Sequence, residues 1–205
     1  MESIDPHNFE WNDIYTGQAS DLLEPDAEIL AIVDSLRPGR ALDVGCGAGG
    51  LVLALLERGW EVTGVDIAEN AIAAARNVLA ARDRKADLHV ADASSFRPSG
   101  RYDLVTCSFA LPDTSAGQAK VFSMIRDVLV PGGAVVIKDF DAAMREHAEF
   151  SRFDCPSIGE LQEAFEGFAV VRAEVVETPA HGHGGEEPAL AGAWTAALLH
   201  ASKPS

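Results

Sequence analysis

Cysteine is scarce in this sequence, and basic and aromatic residues are few. Only Cys46, Cys107 and Cys155 occur, with no CxxC pair among them. An odd, unpaired set offers neither a disulfide framework nor the ligand spacing of a structural zinc site, so no metal is expected. Lys and Arg number 16 against 32 Asp and Glu, a formal net charge of -16, which is the wrong sign for a chain that must displace counterions from a polyanion. The one short basic cluster, Arg82, Arg84 and Lys85, ends an alanine-rich stretch, where cations offset a helix dipole. No apolar run approaches the ~20 residues of a membrane span. The opening MESIDPHNFEWND is acidic rather than basic and then apolar. These absences point to a cytoplasmic protein that acts on a small molecule and binds neither nucleic acid nor membrane.

What the sequence does have is alternation. Apolar residues at helical spacing give way to short β-branched runs and back again, which predicts a parallel sheet covered by helices, the α/β class. A helix is expected from about Pro25 to Leu36, then the strand RALDV, a helix from Ala48 to Arg58, the strand EVTGVD and the helix ENAIAAARNVLAAR. DLHVA, YDLVTC and AVVIKD are further strands, with QAKVFSMIRDVL as a helix between the last two. After a capping-box candidate, Ser157 with Glu160, come AVVRAEVVE and AWTAALLHA. These two lack a helical crossover and should be antiparallel neighbours. With no repeat and no long linker, residues 1–205 read as one domain, and residues 1–24, which hold Phe9, Trp11 and Tyr15, as an arm over the active site. A monomer and a homodimer both remain open.

The stretch DVGCGAGG carries the chemistry. Gly45, Gly47 and Gly50 satisfy GxGxxG, and Asp66 falls near the distance expected of a ribose-binding acid, so a dinucleotide site has to be weighed. Asp43 argues against it. A carboxylate two residues before the first glycine adds negative charge where a pyrophosphate would lie. A ligand with an amino group and a sulfonium gains from that charge, and its own carboxylate can use the helix N-terminus. S-adenosylmethionine has those groups.

At Asp43 and Gly45-Cys46-Gly47-Ala48-Gly49 the sequence resembles the class I S-adenosylmethionine-dependent methyltransferases, whose first motif is an acid followed by GxGxG. The resemblance extends over nearly the whole chain. It implies a Rossmann-like seven-stranded sheet in the order 3-2-1-4-5-7-6, with strand seven antiparallel and helices on both faces. It also implies that Asp66 binds the ribose hydroxyls, Ile67 packs on the adenine, Asp92 and the Ala93 amide meet the adenine edge, and the strand end Cys107-Ser108 borders the methionine part. WNDIY, LLERGWEVTGVDIAENAI and the late H-x-G loop look most like small bacterial methyltransferases of the tellurite-resistance and thiopurine type. Each acid also has a plainer reading: Asp43 as a loop hydrogen bonder, Asp66 as a helix cap, Asp92 as the start of a turn.

Methyl transfer needs alignment and exclusion of water, and a base only where the acceptor must lose a proton. His181 and His183, in HGHGGEE, are the candidate bases, with Glu186 or Glu187 to orient a ring; a solvated glycine-rich loop is the alternative. Tyr15 and Trp11 are candidates to close over the site. The implied sheet order sends the histidine loop out on the cofactor side. Cys46 and Cys107 suit small buried positions better than nucleophilic ones. The alternatives to a methyltransferase are an S-adenosylmethionine-binding module without catalysis and an NAD(P)-dependent oxidoreductase.

Overall fold

A computed structural model of the chain describes residues 11–13, 15, 24–147, 150–179 and 193–205. Its centre is β1 (Arg40–Val44), buried from Ala41 onward and covered on both faces, as parallel strands are. β1 pairs in parallel with β2 (Glu61–Asp66) on one side and β4 (Tyr102–Ser108) on the other. β3 (Asp87–Val90) flanks β2, and β5 (Leu129–Phe140) flanks β4, both parallel. β7 (Ala193–Ser202) lies antiparallel between β5 and β6 (Ala169–Pro179). The order is 3-2-1-4-5-7-6, as the resemblance implied.

Helices cover both faces. α1 (Ala27–Val33), α2 (Gly50–Glu57) and α3 (Glu69–Ala81) bury Ile29, Leu55 and Ile72 on one side. α4 (Ser115–Val128) and α5 (Ile158–Ala164) bury Ile125 and Leu161 on the other. The expected capping box is present: the Ser157 hydroxyl accepts from the Glu160 amide, and the Glu160 carboxylate accepts from the Ser157 amide at 2.7 Å.

Three boundaries differ from the sequence expectation. α1 starts after Asp26 rather than at Pro25, because the Asp26 carboxylate accepts from the amides of Glu28 and Ile29 and so takes the cap position. α2 starts at Gly50, not Ala48, because Gly47 and Gly49 hold φ of 50° and 86°, outside the helical region. β5 begins at Leu129, five residues before Ala134. The run Pro131-Gly132-Gly133 stays in the strand across a register shift because Lys203 holds it from outside, accepting from the Gly132 amide and donating to the Gly133 carbonyl.

One buried ion cluster fastens α1 to the sheet. The Lys138 ammonium of β5 lies 2.6 Å from Asp26 and 2.8 Å from Glu28, with little exposure to water. Arg172 of β6 reaches Glu28 as well, at 3.0 Å. The N-terminus of α1 is thereby held at the carboxyl end of β5, on the rim of the site.

Candidate active site

Parallel strands deliver their carboxyl ends to one edge of the sheet, and ligands in open α/β sheets bind there. A cavity of about 590 Å³ opens along that edge, from the ends of β2 and β3 across β1 to the ends of β4 and β5. That volume suits a single small-molecule cofactor together with part of an acceptor.

The loop after β1 forms its floor. Its amides are already committed: those of Gly45 and Cys46 both donate to the Val65 carbonyl, at 2.8 and 3.0 Å, and that of Gly47 donates to Asp66 Oδ2 at 2.8 Å. A phosphate cradle needs such N–H groups aimed at the ligand, and here three of them point to β2. Glycine is required at Gly45 by two constraints, a φ of 72° and an Ala110 methyl that would stand 2.0 Å from any Cβ.

Two carboxylates stand beside this floor. Asp43 is buried, and its Oδ1 accepts from the Thr106 hydroxyl at 2.7 Å. Burial lifts its pKa to about 7, with the nearby Asp66 adding to the rise and the Thr106 bond opposing it. Asp66 is also buried and raised, mainly by burial, while the amides of Ala68, Gly47 and Ile67 favour its ionised form. Among the described residues, no lysine or arginine pairs with either acid. Two buried anions without a cation make a site that gains from a positive ligand.

The cavity wall gathers most of the candidate residues: Tyr15, Asp43, Gly45, Cys46, Gly47, Asp66, Ile67, Asp92 and Ala93 all line it. Two stand elsewhere. Gly49 is the N-cap of α2 and faces Ala75 of α3, 3.0 Å from where a Cβ would be, so its role is helix packing. The Cys107 side chain is in the core on the α4 side, and Ser108 lines the cavity in its place; successive residues of a strand point to opposite faces. Burial raises the thiols of both Cys46 and Cys107 well above their usual range, which leaves them unreactive. His181, His183, Glu186 and Glu187 lie outside the described residues.

Asp66 does part of what its plainer reading proposed, since Oδ1 accepts from the Ala68 amide at 2.9 Å, ahead of α3. A carboxylate has about four lone-pair sites, so these amides leave acceptor capacity toward the cavity. Asp92 likewise starts a turn, accepting from the Ser94 amide and hydroxyl at 2.7 and 2.9 Å, yet it is exposed at the cavity wall. Tyr15 is held over the glycine loop. Its hydroxyl is 2.8 Å from where a Cβ on Gly47 would be, and burial, with Asp66 nearby, pushes its pKa up. The segment is anchored by Asn12, whose Oδ1 accepts from the Asn70 amide at 3.1 Å and whose carbonyl accepts from Asn70 Nδ2 at 2.9 Å.

At the β4–β5 end of the cavity stand residues that no motif singled out. Phe109, Phe140 and Phe153 line it, with Phe109 and Phe140 at 4.9 Å between ring centroids. Asp139 is buried beside them. Its carboxylate accepts from the amides of Leu111 and Phe140 at 2.9 and 2.8 Å, and burial lifts its pKa to about 6 against those bonds. The signal was the pair Lys138-Asp139 closing an apolar strand, two charges where a buried run should tolerate none unpaired. Trp194 packs on Phe140 at 5.6 Å and on Phe150 at 5.3 Å. The β6–β7 connection, which holds the histidines, therefore leaves and rejoins the sheet next to this aromatic end.

Known proteins agree with this geometry. Residues 41–133 match the family described as a methyltransferase domain. The chain is 38% identical over 101 residues to the ubiquinone biosynthesis O-methyltransferase of Aromatoleum aromaticum, covering 47% of this chain and 42% of that one. Among solved structures it is similar to the N-methyltransferase NodS from Bradyrhizobium japonicum WM9 in complex with S-adenosyl-L-homocysteine, with a TM-score of 0.73, 16% identity, and 98% and 100% of the two chains covered. It is also similar to a chain solved in work on the conversion of a disulfide bond into a thioacetal group during echinomycin biosynthesis, with a TM-score of 0.74, 22% identity, and 97% and 92% covered.

The fold is that of these solved structures, and the match to the methyltransferase domain family covers residues 41–133, somewhat less than half of the chain. The chain spans about two-fifths of the length of the curated relative it matches, 42%. No helix among the described residues is long and apolar enough to cross a membrane.

Proposed function

We propose that this protein transfers a methyl group from S-adenosylmethionine to a small-molecule acceptor. One observation carries the reading: the amides of Gly45, Cys46 and Gly47 are spent on β2, while among the described residues Asp43 and Asp66 stay buried without a cation. That arrangement repels a diphosphate and favours a ligand bearing a sulfonium and an ammonium.

Bound in this cavity, S-adenosylmethionine would supply an activated methyl carbon to the acceptor's lone pair, with S-adenosylhomocysteine as the product. The chain supplies placement. Asp66 takes the ribose hydroxyls with its remaining acceptor capacity, Ile67 packs on the adenine, and Asp92 with the Ala93 amide meets the adenine edge. Asp43 faces the positive end through the loop. Tyr15 covers the glycine turn and keeps water from the sulfonium. Phe109, Phe140 and Phe153 form an apolar seat that suits an acceptor with a flat or hydrophobic body. His181 and His183, on the loop that departs beside this seat, remove the acceptor proton where one must leave. The formal charge of -16 disfavours nucleic acid as the acceptor.

Methyl-labelled S-adenosylmethionine incubated with a panel of phenols, amines, thiols and metalloid oxyanions tests this. Label transfer to one class, with S-adenosylhomocysteine released in equal amount, is expected. Cofactor binding with no transfer to any acceptor would favour a binding module. Thermal stabilisation by NAD(P) and none by S-adenosylhomocysteine would overturn the reading in favour of an oxidoreductase.

A further inference from the structure

β6 is the outermost strand of the sheet, and among the described residues it pairs with β7 alone. Among the described residues its other edge is unpaired, and its backbone N–H and C=O groups are a template for a further strand. Four large apolar side chains are exposed among the described residues, and three of them are here: Val170 at 46%, Val171 at 63% and Val175 at 46%. The middle of the strand reads Val171-Arg172-Ala173-Glu174-Val175. Set antiparallel to itself about Ala173, this segment is its own complement. Val171 then faces Val175, Arg172 faces Glu174, and Ala173 faces Ala173.

We propose that the β6 edge is a homodimer interface, in which a second copy of this chain adds its β6 antiparallel across a two-fold axis through Ala173. An isologous contact requires such a self-complementary patch. Opposite charges and apolar β-branched pairs are the cross-strand neighbours that stabilise an antiparallel ladder. Two faces are satisfied at once. Arg172 and Glu174 lie on the α1 face, opposite His200 and Leu198 of β7, where Arg172 already holds Glu174 of its own strand and Glu28 of α1. In the dimer each Arg172 also meets the partner's Glu174. Ala173 and Val175 occupy the opposite face, so the valines pair across the axis rather than facing water.

The strand also carries devices that keep edges from pairing at random. β6 has a bulge between Val170 and Arg172, and Glu174 and Glu177 put charges along it. Most strands docking here would leave Arg172 or Glu174 opposite an apolar or like-charged residue. A second copy in this register leaves neither so. A single strand edge buries less than the roughly 1,000 Å² of a standard interface, and each copy carries a formal charge of -16. The dimer should therefore form at micromolar concentrations and exchange rapidly.

Sedimentation velocity of the full chain at about 0.15 M salt, from low to high micromolar concentration, tests the proposal. A concentration-dependent monomer–dimer equilibrium is expected. Glu174→Arg sets like charges opposite at two symmetric positions and should weaken association by roughly tenfold or more. Combining it with Arg172→Glu exchanges the signs and should restore most of the loss. Melting curves of both variants confirm that they are folded. The native cysteines are all buried, so Ala173→Cys should give one intermolecular disulfide on mild oxidation. A monomer at every concentration, a dimer indifferent to Glu174→Arg, or a dimer that does not cross-link at position 173 would overturn the proposal.

Discussion

Asp43→Asn separates the cost of a buried charge from its use. In the folded protein the Asp43 pKa stands at about 7, against 3.8 for an unperturbed aspartate. Between those values the folded state keeps a proton that the unfolded chain releases, so stability falls as pH rises, by about 1.4 kcal/mol per unit. Above about pH 7 both states are ionised and the loss stops growing; below about pH 4 both are protonated and it vanishes. Asparagine keeps the acceptor for the Thr106 hydroxyl, 2.7 Å away, but brings a buried N–H₂ whose missing partner costs about 1–3 kcal/mol at any pH. The variant's stability relative to the native protein should therefore climb by roughly 2–3 kcal/mol from pH 5 to pH 7, a little under two units of the linkage slope, and then level off. For a chain of this size that is a relative rise in melting temperature of about 5–10 °C. Ligand-free protein followed by circular dichroism across pH 5 to 8 reads it directly. A melting difference that does not move with pH, or that moves the other way, would refute the placement of Asp43 as a buried anion without a counter-ion. The same variant should lose the pH dependence of cofactor affinity, which in the native protein rises as Asp43 ionises.

Asp66→Ala should weaken S-adenosylhomocysteine binding by ~1.5–3 kcal/mol in calorimetry, through loss of charge-assisted hydrogen bonds; unchanged affinity would remove Asp66 from the ribose site. Lys138→Met leaves Asp26 and Glu28 facing the sheet without their shared ammonium, and unfolding experiments should show a loss of about 3 kcal/mol. Gly45→Ala has no room against Ala110, so it should lower both the melting temperature and cofactor affinity. His181→Ala and His183→Ala should reduce turnover while leaving cofactor affinity within about twofold of native; normal turnover would exclude them as bases.

What the sequence made legible is what local pattern encodes. The alternation of helical and strand periods located every strand, and the three acids at successive strand ends, Asp43, Asp66 and Asp92, stand at the cavity wall in order. What it hid depends on contacts distant in the chain. The start of β5 relies on Lys203, about 70 residues later, so Pro131-Gly132-Gly133 reads locally as a turn. α1 starts after Asp26 rather than at Pro25, and Lys138, more than a hundred residues away, fixes the capping carboxylate. Cys107 looked like a wall residue because it ends a strand, but the pleat turns it inward and brings Ser108 to the cavity. The aromatic end of the cavity is assembled from Phe109, Phe140 and Phe153, three residues that share no spacing and no motif and meet only when β4, β5 and the segment after them fold together.

Calorimetric titration of the native protein with S-adenosylmethionine and, in parallel, with NADH is the most direct test of the charge argument at Asp43 and Asp66. The account predicts saturable one-site binding of S-adenosylmethionine, stronger at pH 8 than at pH 6, and no heat from NADH. Saturable binding of NADH, or S-adenosylmethionine affinity that falls as the pH is raised, would contradict it.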